Sequence, residues 1–334
     1  MKVKTSLLVL AISLPILLLA ACDSQPVEVK YRGQVMGTSW SVKLNSEFGY
    51  DAELDKAIQA ELDLVDARMS NWKSDSDISR FNDSELNTCT EVSTPTLAVV
   101  LLAQRAFNLS DGAFDISLGP LIDLWGFGTE ETIEDSAPSA SDIEAALELT
   151  GIDNLYLTDT ALCKRNTPIY INISGLAKGY GVDRVASLLS DKNFDNYLVE
   201  VGGELRAKGI NGRDQVWSVG IERPDDRLVA SQVVTAVKLD DAALATSGDY
   251  RNFYALDDQR YSHIIDPKTG YPVTHNLASV TVRASTSIEA DAWATALLVA
   301  GPEKGMALAE EKNLAVLMVR RNEHGFDAST SSNW

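Results

Sequence analysis

Apolar positions recur along the chain with two spacings, and these spacings predict both strands and helices. Apolar and polar residues roughly alternate over 31–38 and 39–44, as in half-buried strands. Apolar residues three or four positions apart predict a helix over 51–69. The same patterns predict further helices over 95–109, 142–149, 174–189, 288–300 and 302–312, and further strands over 154–158, 168–173, 196–201, 216–221, 232–239, 260–265, 278–282 and 314–319.

This order of elements indicates the fold class. Helices and strands mix without strict alternation of strand and crossover helix, so the sequence predicts an α+β fold with mixed sheets and packed helices. No segment is rich enough in Gly, Ser or Pro to divide the chain, which predicts one domain over 31–334. The Ser- and Asn-rich C-terminal tail is expected to be frayed.

The N-terminus has the pattern of an export signal. A basic start precedes an apolar run from Leu7 to Ala21, which is short for a membrane-spanning helix and ends in small residues. The run ends in Leu19-Ala20-Ala21-Cys22, which resembles the bacterial lipobox, whose cysteine is lipidated. A plain secreted protein with Cys22 as a stray thiol is the alternative. We predict a signal peptide over 1–21.

The residues after the apolar run then predict where the chain resides. Cys22 would become the first residue and carry the lipid, and 22–30 would form a lipidated tether. Asp23 at the next position resembles an inner-membrane retention signal of Gram-negative lipoproteins. We therefore expect a lipid-anchored protein of the inner membrane that faces the periplasm.

The overall composition excludes several classes of protein. The chain has 334 residues, 29 basic and 48 acidic, for a formal net charge of −19, and 45% of its residues are hydrophobic. Such a negative field repels phosphate, and no basic stripe is visible, so we expect no nucleic-acid partner. Apolar residues spread along the chain exclude extensive disorder. The single long apolar run excludes a multi-spanning membrane protein.

Two cysteines remain after Cys22, namely Cys89 and Cys163. An exported compartment would permit a disulfide between them. Two buried free thiols are equally compatible with the sequence.

The segment Asn172–Tyr180 marks a strand end followed by a helix start. The free N–H groups and partial positive charge of a helix N-terminus suit an anion, and Asn172 or Ser174 could cap the helix. The positive charge of Lys178 is unfavourable near the positive end of the helix dipole, and contact with an anionic ligand would explain its presence there. The alternative is a solvated surface lysine. The spacing is not that of a P-loop.

Asp291 and Thr295 stand four residues apart in a predicted helix, so both face the same side. A carboxylate and a hydroxyl oxygen form half of a site for a hard cation, and Mg²⁺ commonly takes few protein ligands. The alternative is a structural role for both residues, with Asp291 as a favourable charge in the first turn of the helix and Thr295 at the edge of the core.

His263 ends a predicted strand and precedes a polar turn, where it could perform acid–base chemistry. A structural histidine is the alternative. Polar, glycine-containing segments also occur at Ala113–Leu121, Val199–Leu205 and Ala245–Tyr250.

Together and in this order, behind a lipobox, these segments resemble the ApbE family, the FAD:protein FMN transferases. The resemblance runs from Met36-Gly37-Thr38 to about residue 300. It implies that FAD is split and that its FMN half moves to a Thr or Ser hydroxyl of a partner protein, with AMP released and Mg²⁺ required. It further implies acceptors among flavin-bearing subunits of membrane redox complexes, such as the sodium-pumping quinone reductase or Rnf type.

The resemblance also implies roles for individual residues. The metal ligands would be Asp291, Thr295 and the backbone carbonyl of Gly175. His263 is the candidate for deprotonating or orienting the acceptor hydroxyl, with the loop Thr246–Gly248 nearby. The FAD contacts would be Met36, Trp72, Ala113, Phe114, Asp115, Asn172, Lys178 and Ile265.

Two positions depart from the family pattern: Asn172 stands where Asp is frequent, and Lys178 stands where some members carry an acid. Two other functions fit the same residues. One is a Mg²⁺-dependent FAD pyrophosphatase that releases FMN and AMP, and the other is a periplasmic flavin-binding lipoprotein without chemistry.

Overall fold

The computed structural model describes residues 27–128, 136–225, 232–256 and 259–334. The predicted signal peptide, Cys22 and the first part of the predicted tether lie outside these residues. Residues 27–30 already belong to the first strand, so that strand begins earlier than the sequence predicted. Within the described residues, no helix has both the length and the apolar character needed to cross a bilayer.

Fifteen strands are formed by the described residues. In chain order they are Val27–Val35 (β1), Thr38–Ser46 (β2), Cys89–Glu91 (β3), Leu155–Leu157 (β4), Ala161–Lys164 (β5), Tyr197–Val201 (β6), Glu204–Lys208 (β7), Trp217–Glu222 (β8), Val233–Leu239 (β9), Ala242–Gly248 (β10), Phe253–Leu256 (β11), Gln259–Ser262 (β12), Leu277–Ala284 (β13), Ala315–Asn322 (β14) and Gly325–Thr330 (β15).

Eight α-helices are also described. They are Ala52–Met69 (α1), Asp77–Asn82 (α2), Thr94–Leu109 (α3), Gly119–Leu124 (α4), Ala140–Glu148 (α5), Ser174–Asp191 (α6), Ser287–Ala300 (α7) and Pro302–Glu311 (α8). This mixture of sheets and helices confirms the predicted α+β class.

An antiparallel sheet of eight strands forms the centre, in the order β1-β2-β6-β7-β10-β13-β14-β15. Because side chains alternate across a strand, neighbouring residues of β6 enter different cores. Val199 packs with residues of α1 and α6, whereas Leu198 packs with residues of the hairpin β8–β9. The helices therefore cover one face of the sheet and the hairpin covers the other.

Besides the two-stranded sheet of the hairpin β8–β9, two further small sheets are described, in the orders β3-β5-β4 and β11-β12. In the first, Cys89 lies directly opposite Cys163, and the two form a disulfide that closes a separation of 74 residues. Of the two states that the sequence left open, the structure has the disulfide.

Two expectations from the sequence were wrong. The segment 168–173 is not a strand: it makes a single parallel bridge, from Tyr170 to Leu118. The C-terminal tail is not frayed, because β15 pairs with β14 and the buried Ser331 accepts a hydrogen bond from the Val316 N–H and donates one to the Leu314 carbonyl. The hydrogen bonds to β14 hold a segment whose composition alone predicts mobility.

Candidate active site

A cavity of about 610 Å³ opens where helices α6 and α7 approach the end of β10 and the segment after β12. Two groups of residues face each other across it. We call the first the helical wall, which consists of Gly175, Lys178, Asp291 and Thr295. We call the second the strand wall, which consists of Ser247, Arg251, Asn252 and His263. Sequence-distant residues are thus brought to one site by the packing of two helices on one end of the sheet.

The close crossing of α6 and α7 fixes the helical wall. A Cβ on Gly179 would lie 2.7 Å from the Ser287 carbonyl oxygen and 2.8 Å from the Ile288 Cα, so only glycine permits this approach. The Gly179 N–H donates to Asp291 Oδ2 at 3.3 Å. Asp183 of α6 accepts hydrogen bonds from the Ser287 and Ile288 N–H groups, at 3.0 and 2.9 Å, and thereby caps α7. The two helices are joined at several points.

Three oxygen donors of the helical wall are suited to a hard cation. Asp291 and Thr295 are one turn apart on α7 and both line the cavity. The backbone of Gly175 lies close to Thr295, since a Cβ built there would be 3.5 Å from Thr295 Oγ1, and its carbonyl is the third candidate donor. A carboxylate, a hydroxyl and a backbone carbonyl fit the preference of Mg²⁺ for oxygen. Among the described residues, no cluster of three His, Cys, Asp or Glu side chains offers a richer metal site.

The electrostatics of Asp291 also favour a cation. Burial raises the pKa of its carboxyl to about 7, while the Lys178 ammonium acts in the opposite direction. A buried carboxylate without full charge compensation is stabilised by any cation that binds it, so proton and metal compete for this group.

The cavity as a whole is acidic. Its lining contains five carboxyl side chains and two cationic ones. Both cations are already paired: Lys178 Nζ lies 2.8 Å from Glu204 Oε1, and Arg251 Nη2 lies 2.5 Å from Glu222 Oε2. Burial lowers the pKa of Lys178, but Asp291 and Glu204 outweigh that effect and leave the pKa raised. Lys178 is therefore a charged ammonium at neutral pH.

His263 is the residue of the strand wall with acid–base chemistry. Its Nδ1 lies 2.9 Å from the Asn252 carbonyl oxygen, which only accepts hydrogen bonds, so Nδ1 carries the hydrogen and Nε2 keeps its lone pair. Burial lowers the pKa of His263, the Asn252 carbonyl raises it, and Lys178 lowers it further, with a net decrease. The ring is neutral at pH 7, as a general base requires.

A single hydrogen bond connects the two walls. Ser247 Oγ at the end of β10 lies 3.0 Å from Thr295 Oγ1 on α7. The candidate metal donor on the helix is therefore oriented by a hydroxyl of the opposite wall.

Most of the residues that the sequence indicated line this one cavity. They are Ala113, Phe114, Asp115, Asn172, Gly175, Lys178, His263, Ile265, Asp291 and Thr295. Met36 and Trp72 are not among the described residues that line it. Met36 is half-buried at a turn with φ of 49°, and Trp72 is 59% exposed beyond the end of α1.

The sequence indicated no role for Glu204 or Arg251. Glu204 lies in the polar segment Val199–Leu205, and Arg251 directly follows the segment Ala245–Tyr250. Glu204 directly follows Gly202-Gly203 in the turn between β6 and β7. The carboxylate next to two glycines is the sequence signal that could have indicated a functional role for Glu204. Its pairing with Lys178 depends on contact between elements 26 residues apart in the chain, which no local pattern indicates.

Comparison with known proteins shows the family to which the chain is related. Residues 36–318 match the ApbE family. The chain is 40% identical to an FAD:protein FMN transferase of Vibrio cholerae, over 96% of this chain and 95% of that protein. It is 38% identical to an FAD:protein FMN transferase of Escherichia coli K12, over 93% and 91% of the two chains.

A solved structure is similar over the same extent. The flavin transferase ApbE from Vibrio cholerae superposes with a TM-score of 0.85 at 40% identity, covering 92% of this chain and 98% of that one. The family match and these identities extend over the whole cavity and both walls. The chain belongs to the ApbE family.

Proposed function

We propose that this protein transfers FMN from FAD to a Ser or Thr hydroxyl of a partner protein, with Mg²⁺ bound, and releases AMP. The observation that carries the proposal is the arrangement of one cavity: an oxygen-donor set on the helical wall faces a neutral histidine on the strand wall. Phosphoryl transfer depends on positioning and charge neutralisation more than on covalent help, and both walls serve these ends.

The residues of the helical wall would bind the pyrophosphate side of the reaction. Asp291, Thr295 and the Gly175 carbonyl would hold Mg²⁺, which neutralises charge on the pyrophosphate when bound. Lys178 adds a positive charge at the start of α6, where backbone N–H groups also favour an anion. Ala113, Phe114, Asp115, Asn172 and Ile265 line the remaining cavity and are proposed FAD contacts.

His263 would act on the acceptor. Its free Nε2 accepts the proton of the acceptor hydroxyl as that oxygen forms a bond to the FMN phosphorus. The bond between this phosphorus and the bridging oxygen of the pyrophosphate breaks, and its electron pair leaves with AMP. One proton moves to His263, and no oxidant or reductant is involved.

The test is incubation of the protein with FAD, Mg²⁺ and a candidate acceptor protein, followed by intact mass spectrometry of the acceptor. Addition of one FMN and equimolar release of AMP are the expected result. Release of FMN and AMP with an unmodified acceptor would instead establish a pyrophosphatase. Retention of intact FAD in the presence of Mg²⁺ would establish a flavin-binding protein.

We also propose that Cys22 carries a lipid that anchors the protein to the inner membrane on the periplasmic side. The apolar run and Leu19-Ala20-Ala21-Cys22 support this location. The acceptors would then be flavin-bearing subunits of membrane redox complexes, of the sodium-pumping quinone reductase or Rnf type. Replacement of Cys22 by Ala should move the protein from the membrane fraction to the soluble fraction, and unchanged membrane association would contradict the anchor.

A further inference from the structure

Glu204 is the buried acid of the cavity that the proposed reaction leaves without a role. Only 4% of its surface is exposed. Oε1 accepts a hydrogen bond from Lys178 Nζ at 2.8 Å, whereas Oε2 is buried and has no hydrogen-bond partner among the described residues. A buried carboxylate that is only half satisfied is costly, so its presence beside the candidate metal site calls for a physical reason.

Three charged groups act on each other at this place. Lys178 and Glu204 form an ion pair at 2.8 Å, and the Gly179 N–H, next to Lys178 in the chain, donates to Asp291 Oδ2. All three charged side chains line the same cavity. Without a metal, one ammonium faces two carboxylates. The positive charge of Lys178 is thus fully offset before any ligand binds, and an incoming pyrophosphate meets an excess of negative charge.

A divalent cation reverses this balance. With Mg²⁺ at Asp291, the same group of charges becomes net positive, and Lys178 can share its ammonium hydrogens between Glu204 and a phosphate oxygen. The charge of the second cation of the cavity, Arg251, is likewise offset by a carboxylate, that of Glu222.

We propose that Glu204 makes FAD binding conditional on Mg²⁺: its carboxylate neutralises Lys178 in the metal-free site and so prevents the lysine from capturing FAD by itself. This inference rests on the proposed function, since it takes FAD and Mg²⁺ as the ligands. Glu204 is a positioning residue that acts through Lys178. By linkage, Mg²⁺ and FAD each raise the affinity of the site for the other by the same factor.

The test compares the full chain with Glu204→Gln, which keeps the shape of the side chain and removes its charge. FAD is titrated at pH 8 and read out by flavin fluorescence, once with a chelator and once with saturating Mg²⁺. In chelator, the wild type should bind FAD weakly and the variant at least about tenfold more tightly, because a like charge has been removed from the anion site. The ratio of the FAD affinity in Mg²⁺ to the FAD affinity in chelator should be smaller in the variant than in the wild type by a similar factor.

Glu61→Gln is the matched control. Glu61 also forms an ion pair with a cation of α6, at 3.1 Å from Arg184, but neither residue lines the cavity. This variant should bind FAD as the wild type does under both conditions. Thermal unfolding of each variant shows whether the fold is retained.

Equal or weaker FAD binding by Glu204→Gln in chelator would overturn the proposal, since Glu204 would then merely support Lys178. If this variant does not fold, the double variant Lys178→Gln/Glu204→Gln replaces it. One charge of each sign is removed there, so its FAD affinity in chelator should equal that of the wild type. An affinity at least about tenfold lower would mean that Lys178 attracts FAD despite Glu204, contrary to the proposal.

Failure of the proposed function is separately visible. The chelator titrations permit no metal-dependent turnover and require no acceptor. FMN transfer by the wild type, measured on the same preparation, can therefore fail while the effect of Glu204 persists, or the reverse.

Discussion

The helical wall and the strand wall of the cavity differ in how they hold their functional groups. On the helical wall, Asp291 is buried and accepts a hydrogen bond from the Gly179 N–H. At this point α6 and α7 cross so closely that only glycine fits. On the strand wall, His263 is only partly buried. It is held by one backbone carbonyl and by a T-shaped contact with the Phe127 ring, at 6.2 Å between centroids.

The difference fits the two chemical tasks proposed for these walls. A cation site requires fixed oxygen positions. The close crossing at Gly179 and the capping of α7 by Asp183 hold the two helices together and so provide them. A proton acceptor must meet a hydroxyl that arrives from another protein, so it needs an open approach and a defined tautomer more than burial. We therefore expect changes on the helical wall to affect metal use and changes at His263 to affect proton transfer, whereas Ser247 should act on metal use through its hydrogen bond to Thr295.

The largest effect is expected for Asp291→Ala. Loss of the carboxylate removes the charged donor of the candidate cation site, and Lewis-acid stabilisation is worth several kcal/mol, so FMN transfer should fall by at least about a thousandfold. The assay is acceptor mass with FAD and Mg²⁺, with circular dichroism as the control for folding. Turnover close to that of the wild type would remove the metal assignment from the helical wall.

The second effect is expected for His263→Ala, which should lower the rate of transfer by at least about a hundredfold while the Mg²⁺ requirement stays unchanged. The pH profile gives an independent readout. Because the pKa of His263 lies below its ordinary value of 6.5, the wild-type rate at saturating Mg²⁺ should be level near neutrality and fall as pH drops through that pKa. The variant should lack this acid limb; a loss much below a hundredfold with the limb retained would assign His263 to structure.

A smaller effect is expected when the helices are pushed apart. Gly179→Ala places a Cβ within 2.9 Å of the backbone of Ser287 and Ile288, which should destabilise the fold by about 1–3 kcal/mol and raise the Mg²⁺ concentration needed for half-maximal rate. Gly181→Ala is the control on the same helix. Its Cβ would meet only the flexible ends of Leu62 and Met36, at 3.2 and 3.4 Å. Equal effects of both substitutions would show that the crossing does not set the metal site.

The smallest effect is expected at the hydrogen bond between the walls. Ser247→Ala leaves Thr295 Oγ1 without its partner and should raise the Mg²⁺ requirement by up to about tenfold at an unchanged maximal rate. Thr281→Val is the control. It removes a comparable hydrogen bond between two hydroxyls, Thr246 Oγ1 and Thr281 Oγ1 at 2.8 Å, and leaves the partner of Thr295 in place. A loss of maximal rate in Ser247→Ala, restored by no concentration of Mg²⁺, would place Ser247 in proton transfer instead.

The sequence predicted much of this arrangement because its signals are local. Helical spacing puts Asp291 and Thr295 on one face of α7, and the α+β class follows from the order of elements. Other features are long-range. The partner of Lys178 follows from the packing of α6 against β7, and the choice between thiols and a disulfide was decided by the pairing of β3 with β5. Polar residues at the C-terminus gave a wrong expectation because β14 supplies their hydrogen bonds.

The bond between Cys89 and Cys163 has a consequence for how the protein is prepared. The loop it closes contains Ala113, Phe114 and Asp115, which line the cavity, whereas both helices of the helical wall lie outside the loop. Preparations made under reducing conditions lose a crosslink worth about 4 kcal/mol in the chain-entropy description. Samples of identical sequence will therefore differ in thermal stability according to whether they were produced under oxidising or reducing conditions.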